Sequence, residues 1–205
     1  MGEKTRTGSD GEPLQAWDHD PPAKVKMVPF GFLVLVSGAL MLVFGLKETS
    51  DPWADALQLW WQHVRSRYTR IKRLVIYLDN GPQNSGSRTQ FLKRMIEFSD
   101  WSGLEIRLVY YPPYHSKYNP VERCWSALAR KWSGVLLNTM GFVIDCARRM
   151  TWKGQPPEIQ LLPEKDYPTG VKLTRKQMQP WETRLQRSTG LPKYDITIIP
   201  LSAVK

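Results

Sequence analysis

The chain has 205 residues, with 29 Lys and Arg against 19 Asp and Glu, a formal net charge of +10 and a pI near 9.7. That length allows one domain of ordinary size, and 41% hydrophobic residues with nine Trp exclude a disordered basic tail. The positive balance points to a polyanionic partner, nucleic acid ahead of an anionic membrane surface. Two cysteines, Cys124 and Cys146, exclude a zinc site made of Cys alone and a disulfide scaffold, and they fit a reducing compartment.

Residues 1–26 are polar and rich in Gly, Asp, Lys and Pro, and read as loop. Met27–Leu46 then runs for 20 residues without a charge, the span of a membrane helix. Pro29, Gly31, Gly38 and Gly45 argue against one helix, and Ser37-Gly38 is a turn signal near the middle. The reading adopted is a buried hairpin, Val28–Val36 and Ala39–Phe44, in a central mixed sheet. A small membrane protein with a helix over 27–46 is the distant alternative.

Asp51-Pro52 predicts a helix start, with Trp53, Leu57, Trp60, Trp61 and Val64 recurring on a core face. A basic stretch with Arg65 and Arg67 follows, then a strand over Leu74–Leu78 that ends at Asp79, broken by Asn80-Gly81-Pro82. A helix over Arg88–Trp101, a strand over Leu104–Tyr111 and a helix opening at Asn119-Pro120 and closed by Gly134 come next. A fourth helix covers Asn138–Met150. Strands joined by helices of this length predict βαβ crossovers. Beyond Trp152 the pattern predicts a helix over Arg175–Arg187 and a strand over Ile196–Ile199.

Asp79 ends a strand and Glu122 follows 43 residues later on a helix. Brought together, two carboxylates suit a hard divalent ion beside a phosphodiester. Each also has a plainer reading: Asp79 as a turn cap, and Glu122 as the N3 member of a capping box on Asn119. His115 reads equally as a loop histidine, and Lys117 and Arg123 as solvated charges.

LDNGPQNSGSRTQF followed by YYPPYHSKYNPVERCWSAL closely resembles the DDE transposases of bacterial insertion sequences, the ISAzo-type group in particular. VPFGFLVLVSG, LVFGLKETSDPW, MTWKG and LPKYDITIIP are similar to the same group, so the resemblance runs from about residue 10 onward. It implies an α/β, RNase H-like mixed sheet with flanking helices, and phosphoryl transfer with two Mg²⁺ (or Mn²⁺) ions held by three carboxylates. By motif match Asp79 is the second carboxylate and Glu122 the third, with Asn80, Asn84, His115 and Asn119 in support. Lys117, Arg123, Arg130, Lys131, Arg65 and Arg67 are the expected DNA contacts.

The family's first Asp lies in a strand ahead of the hairpin, and no acid before Met27 sits in an apolar run. Asp18 and Asp20 flank Pro21-Pro22 rather than a strand. The chain therefore reads as an amino-terminally truncated transposase. Residues 1–26 are a remnant of the region after the first strand, 27–152 a partial catalytic core and 153–205 an extension packed on it. The expected partner is double-stranded DNA, both element ends and target, with no small-molecule substrate, in the bacterial cytoplasm at the nucleoid. Homo-oligomerisation is left open. A non-catalytic DNA-binding remnant is the competing reading.

Overall fold

A computed structural model describes residues 27–112, 118–133 and 139–201. Asp18, Asp20, His115, Lys117, Gly134 and Asn138 lie outside the described residues, so the expectations that fall on them have no structural counterpart.

The apolar run folds as β1 (Val28–Leu33) and β2 (Leu40–Gly45), paired antiparallel with Val28 opposite Gly45 and Leu33 opposite Leu40. Gly38, at φ +75°, lets the chain reverse, and Val34 and Ala39 close the turn with a 2.9 Å backbone bond. The single-helix alternative for 27–46 is thereby set aside. Among the described residues no helix is long and apolar enough to cross a membrane.

The continuous hydrophobicity of β2 has a packing cause. Met41 and Val43 face one core with Trp60, Trp61, Phe91 and Ile96, while Leu40, Leu42 and Phe44 face another with Cys124, Leu128, Val143 and Met150. A strand covered on both faces has no polar side to show. The first core belongs to α1 (Ser50–Val64) and α2 (Thr89–Ser102), and the second to α3 (Pro120–Trp132) and α4 (Met140–Arg148). A 3-10 turn, Arg65–Arg67, ends α1.

β3 (Arg73–Leu78) and β4 (Glu105–Tyr110) pair in parallel across the α2 crossover. The chain is mixed α/β as expected, consistent with an RNase H-like fold. One expectation is corrected: the hairpin and β3–β4 lie in two sheets rather than one. The first has the order β1-β2-β5, with β5 (Glu158–Leu161) parallel to β2. The second has the order β3-β4-β7-β6, built with β6 (Leu185–Arg187) and β7 (Asp195–Ile198). No described strand bridges β1 and β3, so each is an edge strand.

Other differences are local. The first helix begins at Ser50 rather than at an Asp51 cap. Asp51 instead accepts a 2.7 Å bond from Gln90 of α2, and the Ser50 hydroxyl donates to the Gln83 carbonyl at 2.6 Å. The helix expected over Arg175–Arg187 is α5 (Arg175–Glu182) only, because Leu185 leaves it to pair with Ile198 and bury itself as β6. Glu158–Leu161 is not predicted as a strand, since its polar-apolar alternation spans only four residues and becomes a strand by pairing with β2.

Chain beyond Trp152 thus supplies strands to both sheets, and charged groups tie it down. Arg184 makes a forked contact with Asp100 of α2 at 2.7 and 3.2 Å, and Arg107 of β4 does the same with Asp195 of β7 at 2.9 and 2.7 Å. Asp55 of α1 accepts from Arg94 of α2, from Lys165 at 3.0 Å and from the Tyr167 hydroxyl at 2.9 Å. Asp55→Ala is expected to destabilise the chain by about 2 kcal/mol in urea unfolding, because Arg94, Lys165 and the Tyr167 hydroxyl lose a shared partner while Arg94 keeps Asp51 and Glu97. That is below the ~3–5 kcal/mol of a fully buried pair, since Asp55 and Arg94 keep 19% and 23% of their side-chain surface exposed.

Candidate active cleft

The unpaired edges of β1 and β3 face a common cleft of about 650 Å³. Its walls are apolar, with Phe30 and Phe32 from β1, Trp60 from α1 and Ile76 from β3. Its polar groups include Glu48, Asp79, Gln83, Asn84, Asn119 and Glu122.

The loop after β3 is drawn tight by its own side chains. Asp79 Oδ1 accepts from the Gly81 N–H at 3.2 Å and from Asn84 Nδ2 at 3.0 Å. Asp79 therefore does cap a turn, while its Oδ2 accepts no hydrogen bond among the described residues. Asn80 takes φ +62°, a left-handed position that asparagine tolerates, and its side chain accepts from the Gly86 N–H at 3.4 Å. Gly86 has no alternative: a Cβ there would lie 2.1 Å from the Lys193 carbonyl oxygen. Because Asn84 must aim its NH₂ at Asp79, the amide orientation is fixed, and Asn84 Oδ1 is left shielded from solvent with no donor.

Glu122 arrives on α3, which is seated against β1 through a side chain that is missing. A Cβ on Gly31 would lie 2.6 Å from the Trp125 ring and 3.3 Å from Val121, so only glycine lets the helix approach this closely. Sequence reading assigned Gly31 to the hairpin and gave it no part in the site. Asn119 caps α3 by accepting from the Val121 N–H at 3.4 Å, and Pro120 occupies the first turn. The capping-box alternative for Glu122 is not realised. Its N–H reaches the Asn119 carbonyl at 3.1 Å, and its carboxylate makes no hydrogen bond among the described residues.

Burial, and then the negative charge of Asp79, push the Glu122 carboxyl above its ordinary pKa. The two carboxylates thus share a cleft and repel each other. The carboxylates of Asp79, Glu122 and Glu48 and the unmet Asn84 Oδ1 line it, oxygen donors that suit a hard cation. Both cysteines are buried, and burial raises the Cys124 thiol to about 11. Among the described residues no group of three or more His, Cys, Asp or Glu is placed to hold a metal ion.

The expected DNA contacts are dispersed. Arg123 lies in the first turn of α3, and Arg130 and Lys131 lie exposed in its last turn, about 12 Å along the axis from Glu122. Arg65 and Arg67 sit beyond the far end of α1, where Arg67 pairs with Glu158 of β5 at 3.0 Å.

The raised Glu122 pKa fixes a sign. The folded chain takes up this proton at a higher pH than the unfolded chain, so the group's effect on stability worsens as pH rises through the folded value. Asp79→Asn is expected to move the Glu122 titration, followed by carboxyl ¹³C NMR, toward the ordinary glutamate range. Glu122→Gln is expected to raise Tm at neutral pH, with the gain fading in acid.

A family model described as the Rhodopirellula transposase DDE domain matches residues 1–200. No curated protein and no solved structure matches the chain. With a match over nearly its whole length, and a strand-end aspartate and helix-borne glutamate lining one cleft, the chain belongs to the DDE transposase domain family.

Proposed function

We propose that the chain is the catalytic part of a transposase that cleaves and transfers DNA strands by metal-dependent phosphoryl transfer, with Asp79 and Glu122 as metal-holding carboxylates. The observation that carries this reading is the pair's position on one cleft, with mutual repulsion that a cation would relieve. Asp79, Glu122 and Asn84 Oδ1 are the groups that would hold Mg²⁺ or Mn²⁺. Such ions activate the attacking hydroxyl and stabilise the leaving oxygen of the phosphodiester. The protein's part is positional: Asn84 fixes the Asp79 carboxylate, and the Gly31–Trp125 contact sets the depth of Glu122. DNA in the bacterial cytoplasm, at the nucleoid, is the proposed working partner.

Glu48 also lines the described cleft beside Asp79 and Glu122. The gap between the β1 and β3 edges suits one extended strand, whose backbone would join the two sheets and whose side chain would reach Asp79. If no strand there adds a carboxylate beside Asp79, the chain is proposed to bind metal and DNA but not to cut, since a misplaced reacting group alone costs about 10²-fold.

Calorimetric titration with Mn²⁺ is expected to show binding that Asp79→Ala weakens by at least about tenfold. Unchanged affinity in the variant refutes the metal assignment. Mg²⁺-dependent nicking of supercoiled DNA by residues 1–205, abolished by Asp79→Ala, would refute the need for that added carboxylate.

A further inference from the structure

Lys153 occupies a backbone conformation that lysine rarely takes. It has φ +48°, followed by Gly154 at φ +79°. Trp152 and Gln155 exchange backbone bonds of 2.8 and 3.0 Å around the pair. This is the pattern of a two-residue hairpin turn whose first central position favours Asn, Asp or Gly. Lysine at that position weakens the turn, and strain kept in a turn calls for a functional cause.

The lysine side chain is directed across the β1–β2 tip. A Cβ on Gly38 would lie 2.8 Å from Lys153 Cδ and 3.2 Å from Nζ. Beside it opens a second cavity of about 280 Å³, lined by Leu33, Leu35, Pro120, Arg123, Trp152 and Lys153. Among the described residues neither Lys153 nor Arg123 makes an ion pair. Trp152 brings an indole Nε1–H that is shielded from solvent and has no acceptor. Two cations without ion pairs among the described residues line a cavity with no carboxylate. Above it the hairpin tip presents apolar side chains to solvent, Leu35 at 49% and Val36 at 99% exposure.

We propose that this second cavity seats a backbone phosphate of duplex DNA, held by Lys153 and Arg123, with Leu35 and Val36 resting against the neighbouring deoxyribose. The proposal rests on the reading of the chain as a DNA-processing enzyme and adds a substrate contact to it. Leu33, Leu35 and Pro120 line both cavities, so the seat and the carboxylate cleft share a wall. Glu122 faces one and Arg123, the next residue, the other. A strand gripped at the seat is thereby led past the Asp79–Glu122 pair. The charge of Lys153 is what the strained turn retains.

The test is fluorescence anisotropy of the full chain with a labelled 30-base-pair duplex across a series of KCl concentrations. Lys153→Asn suits the turn, so its Tm is expected to equal or exceed that of the unsubstituted chain. Its DNA affinity is expected to fall about tenfold, and its slope of log affinity against log salt to flatten by about 1. Arg123→Gln is expected to flatten the slope by a similar amount. Leu35→Ser with Val36→Ser is expected to weaken binding with the slope unchanged, since no charge is lost. If the unsubstituted chain binds DNA and Lys153→Asn matches it in affinity and slope, the phosphate seat is refuted and the functional reading stands. If the unsubstituted chain shows no salt-dependent DNA binding, the functional reading itself falls.

Discussion

The site depends on how closely α3 approaches β1. At Gly31 the strand has no side chain, and the Trp125 ring fills the space that a Cβ would need. This contact brings the first turn of α3 over the hairpin, placing Glu122 on the cleft wall and Arg123 on the second cavity. Behind it, Leu40, Leu42 and Phe44 of β2 pack against α3 and α4, so the helix is held from its other end by ordinary core burial. A side chain at position 31 would act on the glutamate without touching it.

β2 transmits this arrangement to the rest of the molecule. Its two faces belong to two different cores, one under α1 and α2 and one under α3 and α4. Aspartate and glutamate therefore arrive from opposite sides: Asp79 on a loop braced by Ser50 and Asn84, Glu122 on a helix braced by the second core. Between them the β1 and β3 edges carry unpaired backbone groups beside an apolar cleft. Open edges of this kind are a liability in a finished sheet. Here they flank the polar end of the cleft, where the carboxylates meet.

Charge is used in two ways. Arg94, Arg107 and Arg184 are spent on carboxylates that fasten α2, β4 and the C-terminal strands together. Arg67 is likewise committed to Glu158. Lys153, Arg123, Arg130 and Lys131 make no ion pair among the described residues, and all but Lys153 belong to α3. Of these, Arg123 is the residue next to Glu122, so at least one uncommitted cation stands at the cleft's edge, where it attracts a polyanion without a competing ion pair.

Much of this was legible in the sequence. The glycines and proline of 27–46 predicted a hairpin, because a helix does not accommodate that spacing, and Asp79 and Asn119-Pro120 marked a strand end and a helix start through local turn and capping chemistry. DNGPQNS and NPVER pointed to the family, and their Asp79 and Glu122 line one cleft. Where long-range pairing competes with local preference, only the tertiary structure decided. It made Glu158–Leu161 a strand by laying it on β2, ended α5 early so that Leu185 could pair with Ile198, and divided the expected single sheet in two. It also gave Gly31 and Lys153 their roles. A glycine that admits a tryptophan and a lysine that leans over a distant turn are defined by neighbours far along the chain, and the spacing of residues carries no record of those contacts.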